Sequence, residues 1–106
     1  MAVMVVLCTT PSEEKAAEIA RSIVERRLAA CVNVVPRVRS FYRWDGAVQD
    51  DAEALMIIKT TEERSDELYH ALPQLHPYEV PEGVGIAIVS GLDPYLEWVQ
   101  TETAEE

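Results

Sequence analysis

A cysteine and a histidine are the side chains in this sequence that best suit a soft metal ion. Cys8 closes an apolar run near the start of the chain, and His76 begins a proline-containing segment, residues 76–82. Thiolate sulfur and imidazole nitrogen favour copper or zinc, and the thiolate prefers Cu(I). Each residue also has an ordinary interpretation. A lone cysteine is often a small buried apolar residue, and a histidine before proline often lies on the surface or caps a helix.

Five further side chains could line a cleft between neighbouring chains: Trp44, Lys59, Tyr78, Glu79 and Glu82. A lysine or tyrosine held in such a cleft can transfer protons. The same groups can instead form an ion pair or a hydrogen bond where two chains meet, and we favour this structural interpretation.

The common catalytic and cofactor-binding patterns are absent from the sequence. No glycine-rich phosphate loop follows a strand, and the chain has no Ser/His/Asp pattern and no CxxC. Two cysteines and two histidines cannot build a closed zinc site from one chain. We therefore predict no catalytic residue, no cofactor-binding residue and no enzyme activity. An isomerase-type enzyme that uses Lys59 or His76 in an intersubunit cleft is a weaker alternative.

Four apolar runs predict the strands that must position these residues. The runs are rich in β-branched residues and span 3–8, 31–44, 48–59 and 84–89. Asp45-Gly46 predicts a hairpin turn between the second and third strands. Pro36 donates no backbone hydrogen bond, so the second strand must lie at a sheet edge or contain a bulge.

Apolar residues at three- and four-residue spacing predict two main helices and a short terminal one. A capping sequence at 10–13, with Thr10 as the cap, begins the first helix, which should end near Ala30. Thr60 and Glu63 form a second capping box, and Pro73 should end or kink the helix that follows. The terminal helix begins at residue 93, and the polar tail 101–106 is expected to fray.

The resulting order, βαββαβ plus a terminal helix, is the ferredoxin-like pattern of a single α+β domain over residues 1–106. Right-handed crossovers place the strands in the order 4-1-3-2. The first strand then ends where the fourth begins, so Cys8 and His76 converge. Cys8 and Cys31 are expected at opposite ends of the sheet, roughly 20 Å apart, which excludes an intrachain disulfide.

The strand sequences also predict an oligomer. Both main helices of this fold cover one face of the sheet, yet the runs 3–7, 55–58 and 84–89 show no alternating polar residues. Both faces therefore require burial, and one chain covers only one of them. The second strand, if extended, spans roughly 45 Å, so the hairpin should overhang with its aromatic residues Phe41, Tyr42 and Trp44. A bulged hairpin that curls back on its own sheet is the alternative.

Acidic residues dominate the charge of the chain. Nineteen Asp and Glu against nine Lys and Arg give a formal net charge of −10. This charge repels nucleic acid and anionic membranes and mainly favours solubility. The sequence has no signal-peptide pattern and no apolar run near the roughly 20 residues of a membrane span, so we expect a cytoplasmic protein.

Several blocks, in order along the chain, match the signature of one family. They are Cys8-Thr9 with Pro11, Arg27-Leu28-Ala29-Ala30-Cys31-Val32-Asn33, Tyr42-Arg43-Trp44-Asp45-Gly46, Ile57-Ile58-Lys59-Thr60, His76-Pro77-Tyr78-Glu79-Val80-Pro81-Glu82 and Tyr95-Leu96-Glu97-Trp98. Together they resemble the CutA family of divalent-cation tolerance proteins, over about Val5 to Val99.

The resemblance implies a ferredoxin-like homotrimer associated with copper and other divalent cations, with no established catalytic activity. It implies copper ligands at Cys8 and His76. We expect weak binding, because Leu75 stands where some members carry another histidine and two protein ligands leave the site open. The predicted function is a metal-ion-responsive trimer linked to divalent-cation tolerance. The alternative, by fold analogy, is a trimeric signalling scaffold that binds a small metabolite, such as an anion or nucleotide, between subunits.

Overall fold

The computed structural model describes residues 2–105, so Met1 and Glu106, the ends of the predicted domain, lie outside the described residues. The elements follow one another as β1 (Val3–Thr10), α1 (Glu13–Glu25), β2 (Cys31–Trp44), β3 (Ala47–Thr61), α2 (Glu62–Leu75), β4 (Val84–Ala87) and α3 (Asp93–Thr103). This order confirms the predicted α+β, ferredoxin-like arrangement with a terminal helix.

The four strands form one sheet in the order β2-β3-β1-β4. This is the predicted order seen from the opposite edge, and every neighbouring pair is antiparallel. β3 has 15 residues but β1 only eight, and β1 pairs with β3 only from Ala54 to Thr61. The first half of β3 therefore has β2 as its sole strand partner, and the β2–β3 hairpin extends beyond the end of the sheet, as predicted.

A bulge and a tight turn shape this hairpin. The register between β2 and β3 breaks between Val35 and Val38, on either side of Pro36. Because Pro36 has no amide hydrogen to donate, the irregularity falls where the ladder could not continue, on the edge strand. Asp45 and Gly46 close the hairpin with φ angles of 52° and 77°, in the left-handed region that these residue types tolerate.

The predicted helix caps were wrong in detail. Ser12, not Thr10, caps α1, because its hydroxyl accepts from the Lys15 amide at 3.1 Å. The helix ends at Glu25 rather than near Ala30, since Arg27 adopts a left-handed φ of 60°.

Helix α2 also begins differently from the prediction. Its cap is Thr61, which makes no side-chain capping bond, and Thr60 donates instead to the Leu28 carbonyl at 2.7 Å. Pro73 lies in the last turn, and the helix ends two residues later at Leu75.

The C-terminal segment is held rather than frayed, which corrects a second expectation. α3 continues to Thr103, and the Arg27 guanidinium donates to the carbonyl oxygens of Thr101 and Glu102 at 3.3 and 3.2 Å. The nearly buried Arg64 donates to the Glu105 carboxylate at 2.9 Å. Arg27, which follows α1, and Arg64 of α2 therefore bind the C-terminal segment.

The two faces of the sheet are buried to different extents. α1 and α2 cover one face, where the strand residues Val6, Cys8, Met56 and Ile58 are fully buried. On the opposite face α3 covers one end, where Val99 packs on Val3 and Ala30. The rest of that face is only partly covered, and we call it the open face: Val5, Leu7, Ile57, Val84 and Ile86.

Both cysteines are free thiols, as predicted, but they are not at opposite ends of the sheet. Cys31 pairs with Lys59, which pairs with Val5, three residues before Cys8. The offset is about 10 Å along the strands, and β3 lies between the two cysteines. The separation still exceeds the span of a disulfide.

Gly85→Ala is expected to lower the free energy of unfolding by about 1–2 kcal/mol. A Cβ at this β4 position would come within 3.0 Å of the Tyr69 hydroxyl and the Met4 methyl group. Urea unfolding at one fixed protomer concentration measures the change. Gly83→Ala is the matched control, because its Cβ would approach Tyr69 only to 3.6 Å. Equal effects of the two substitutions would contradict the packing described for Gly85.

Candidate functional site

His76 ties the segment after α2 to the end of β1. Its ring is buried, and the Tyr78 amide donates to Nδ1 at 3.1 Å. With Nδ1 accepting, the proton of the neutral ring lies on Nε2, which donates to the Thr9 carbonyl at 2.7 Å. Both ring nitrogens are therefore occupied within the chain, and the histidine holds segment 76–82 against the sheet.

Cys8 lies on the helix-covered face, in the fully buried core. Burial, with smaller contributions from the negative charges of Glu82 and Glu53, raises the pKa of its thiol to about 12. At neutral pH the group is therefore a thiol and not the thiolate that binds copper.

The predicted pair of metal ligands is brought to the same end of the sheet, since His76 bonds to the residue that follows Cys8. In this arrangement neither residue presents a free ligand atom. Within residues 2–105 no three or more His, Cys, Asp or Glu side chains gather closely enough to hold a metal ion. Copper binding by Cys8 and His76 stays a prediction.

A cleft of about 610 Å³ opens between the overhanging hairpin and segment 76–82. Aromatic rings supply much of its wall: Phe41, Tyr42, Trp44 and Tyr78. It forms because β1 ends at Thr10, so no strand fills the space beside the outer half of β3. The segment held by His76 closes the opposite side.

Three glutamates give the cleft its charge: Glu53, Glu79 and Glu82. Glu53 is only 8% exposed and accepts a hydrogen bond from the Tyr78 hydroxyl at 2.6 Å. Glu82 accepts from the Thr9 hydroxyl at 3.1 Å. No ion pair neutralises any of the three within the described part of the chain. Burial and the bond to Glu53 raise the pKa of Tyr78 above its usual value, so its hydroxyl stays protonated and donating.

Four of the five residues predicted for a cleft come together here: Trp44, Tyr78, Glu79 and Glu82. Lys59 does not. It lies six residues from Glu53 on β3, roughly 20 Å along the strand, next to Val5 and Cys31, and donates to the Asn33 side chain.

Glu53, the most buried charge of the cleft, was not among the residues predicted from the sequence. Its neighbours Asp50, Asp51 and Ala52 suggest a solvated strand. A sequence signal was nevertheless available, because Glu53 has the same strand parity as the apolar residues Leu55 and Ile57. A charged residue that continues an apolar face is unusual and indicates a specific role.

Comparison with known proteins decides the family. The family model described as CutA1 divalent ion tolerance protein matches residues 4–102. The chain belongs to the CutA1 family. A curated relative, the divalent-cation tolerance protein CutA of Thermus thermophilus, is 50% identical over 99 residues, which cover 93% of this chain and 96% of the relative. The mouse protein CutA is 45% identical over 95 residues, 90% of this chain, but these cover only 54% of the mouse protein.

Solved CutA1 structures share the fold. CutA1 from Oryza sativa superposes with a TM-score of 0.96 at 43% identity, covering all of this chain and 97% of that one. The Thermus thermophilus Cut A1 structure gives a TM-score of 0.93 at 48% identity, over 96% and 99% of the two chains. The family description and the Thermus thermophilus names refer to tolerance of divalent cations, and they specify no reaction.

Cys8 is expected to resist alkylation in the folded protein. In a Cys31→Ser background at pH 8, iodoacetamide should leave native protein unlabelled over a time in which urea-unfolded chain reacts completely. The reason is that burial excludes the reagent and the raised pKa leaves little thiolate. Any native reaction should accelerate about tenfold per pH unit between pH 8 and 11, below the pKa of about 12. Mass spectrometry measures the label, and equal native and unfolded rates would contradict the burial of Cys8.

Proposed function

We propose that this CutA1-family chain acts in divalent-cation tolerance as a homotrimer that binds cations without catalysing a reaction. Family membership supports the cation-tolerance role, and the open face of the sheet is the observation that supports assembly. The lack of a nucleic-acid partner remains a prediction from charge, and a cytoplasmic location remains a prediction from the sequence. Within residues 2–105 no helix has the length and apolar character to cross a membrane. Among the relatives, an Arabidopsis protein is named chloroplastic and an Archaeoglobus structure is titled periplasmic.

The open face is the surface of this chain that most needs a partner. The strand register aligns Ile57, Leu7 and Val84 in one row across three strands. The next row contains Lys59, Val5 and Ile86, with Ile86 47% and Val84 51% exposed. A largely aliphatic surface on a small domain is unfavourable in water and is stabilised by burial between copies.

The hairpin tip supplies a second surface of the same kind. Phe41, Trp44 and Val48 are exposed there in the single chain. Arginines alternate with the aromatics, as they often do at protein interfaces. The tip projects beyond the sheet and can reach a neighbour whose open face adjoins the chain's own, while the number of three copies comes from the family resemblance.

Light scattering tests the assembly. We expect a mass three times 11.9 kDa at micromolar concentration. Ile86→Glu should dissociate the trimer, because it introduces a charge on the buried side of the interface. Val24→Glu is the matched control: Val24 is 39% exposed on α1, away from the open face. A monomeric native protein, or equal dissociation by both substitutions, would show that the open face does not mediate assembly.

We further propose that copper binds weakly at Cys8 and His76, and that other divalent cations bind there more weakly still. Binding requires His76 to release Thr9 or Tyr78 and the Cys8 thiol to lose its proton, and both changes oppose affinity. Two protein ligands also leave copper incompletely coordinated. Water, Glu82 or a neighbouring chain would complete the site.

Cys8→Ser and His76→Ala are each expected to weaken Cu(I) binding at least about tenfold while leaving the trimer intact. Cys31→Ser is the control for thiol loss away from the site. Competition with a chromophoric Cu(I) chelator measures affinity, which should rise with pH because binding displaces a proton from Cys8. Unchanged affinity in both site variants would remove these residues as ligands.

A metabolite-binding scaffold is the second candidate, and the cleft of about 610 Å³ favours it. The glutamates of the cleft argue against the anion or nucleotide expected from fold analogy. We do not propose the isomerase-type enzyme. Lys59 lies outside the cleft, and both ring nitrogens of His76 are already hydrogen-bonded.

A further inference from the structure

We propose that the cleft between the hairpin and segment 76–82 binds an organic ammonium ion, held by the Glu53 carboxylate and the faces of Tyr42, Trp44 and Tyr78. This site goes beyond the proposed cation tolerance. Because Trp44 also belongs to the hairpin tip that is proposed to contact a neighbouring copy, that copy adjoins the site in the trimer. The ligand class is defined by charge and shape: a compact amine or quaternary ammonium group on a small organic molecule.

Glu53 is the first support for a cationic ligand. The carboxylate is about nine-tenths buried, and the partner that we identify is the neutral Tyr78 hydroxyl at 2.6 Å. No lysine or arginine of residues 2–105 forms an ion pair with it. The nearby Arg39 is already paired with Asp50 at 2.8 Å. A buried charge without a counterion is unfavourable, so a cation from solution would stabilise it.

The electrostatic potential inside the cleft is negative, and other residues besides Glu53 contribute to it. Glu79 and Glu82 line the same space. The negative charges of Glu53 and Glu82 also contribute to the raised pKa of Cys8. Anionic ligands are therefore repelled from the cleft, and cations are attracted.

The aromatic wall favours an organic cation over a metal ion. Aromatic faces attract ammonium groups through the ring quadrupole. Phe41 already illustrates this locally, with the Arg39 guanidinium 5.1 Å from its ring centroid, while we assign Tyr42, Trp44 and Tyr78 to the ligand. A divalent metal ion requires several converging oxygen, nitrogen or sulfur ligands. The part of the chain that the structure describes contains no such group of three acidic, histidine or cysteine side chains.

Fluorescence of Trp44 tests the site directly. Trp98→Phe leaves Trp44 as the sole tryptophan of the chain, and Trp98 lies on α3 outside the cleft. The probe is choline chloride, compared with its uncharged isostere 3,3-dimethyl-1-butanol at constant ionic strength. We expect a saturable change with choline and none with the alcohol. No saturable signal, or an equal response to both compounds, overturns the proposal.

Two charge variants separate the cleft from the general acidity of the protein. Glu53→Gln should weaken choline binding about tenfold or more, because the amide keeps an acceptor for Tyr78 but removes the charge. Glu97→Gln makes the same change in net charge on the exposed surface of α3, and affinity should stay within about twofold. Equal weakening by both variants would show non-specific attraction and overturn the proposal.

Substitution of Tyr42 tests the proposed site independently if Glu53→Gln does not fold. Tyr42→Leu should weaken choline binding several-fold, whereas Tyr42→Phe should preserve it, since the ring face is the contact. Equal affinities for these two variants overturn the aromatic contact. Displacement of choline by MgCl₂, but not by KCl of the same ionic strength, would identify a divalent-metal site and likewise overturn the proposal. Light scattering on the same samples reports assembly separately.

Discussion

The unequal lengths of β1 and β3 are the constraint on which the rest of the molecule depends. β3 continues seven residues, from Ala47 to Glu53, beyond its last pairing with β1. Over that stretch it can pair only with β2, so the hairpin leaves the sheet. Had β1 continued past Thr10, its backbone would occupy the space that is now the cleft. The exposed aromatics and the buried Glu53 follow from the same mismatch.

A small number of hydrogen bonds fixes the geometry of the cleft. His76 donates to Thr9 and accepts from Tyr78, which fixes where the segment after α2 turns. Tyr78 then reaches across to Glu53 on the hairpin. The result is a chain of hydrogen bonds from the end of β1 through the segment to the outer half of β3. Such connected networks give a site a single geometry rather than several.

Sequence patterns predicted the strand order and the irregularity at Pro36, because strand periodicity and the missing proline amide act locally. Trp44, Tyr78, Glu79 and Glu82 were predicted for a cleft between chains, and the structure brings them together within one chain because the hairpin and segment 76–82 adjoin. Lys59 lies outside the cleft of the single chain, six residues along β3 from Glu53, and its place in a cleft between chains stays a prediction.

Hydrogen-bond partners that are distant in sequence account for further features that the sequence did not reveal. Thr60 was predicted to cap a helix, but its hydroxyl donates to the carbonyl of Leu28, which is distant in sequence. His76 can serve as a metal ligand by residue type, but in this chain both of its ring nitrogens are hydrogen-bonded to backbone groups. Glu53 resembles a solvated strand residue in the sequence, but in the structure it accepts a hydrogen bond from Tyr78, 25 positions away.

The break at Pro36 also bears on aggregation. A regular 14-residue edge strand would present a long row of unpaired amides and carbonyls to any other chain. The bulge between Val35 and Val38 interrupts that row, and Arg37, Arg39 and Arg43 place positive charges along the part that follows. At the other edge β4 has only four residues. Newly made chains can therefore expose apolar strands before they assemble, while both sheet edges are poor templates for fibre growth.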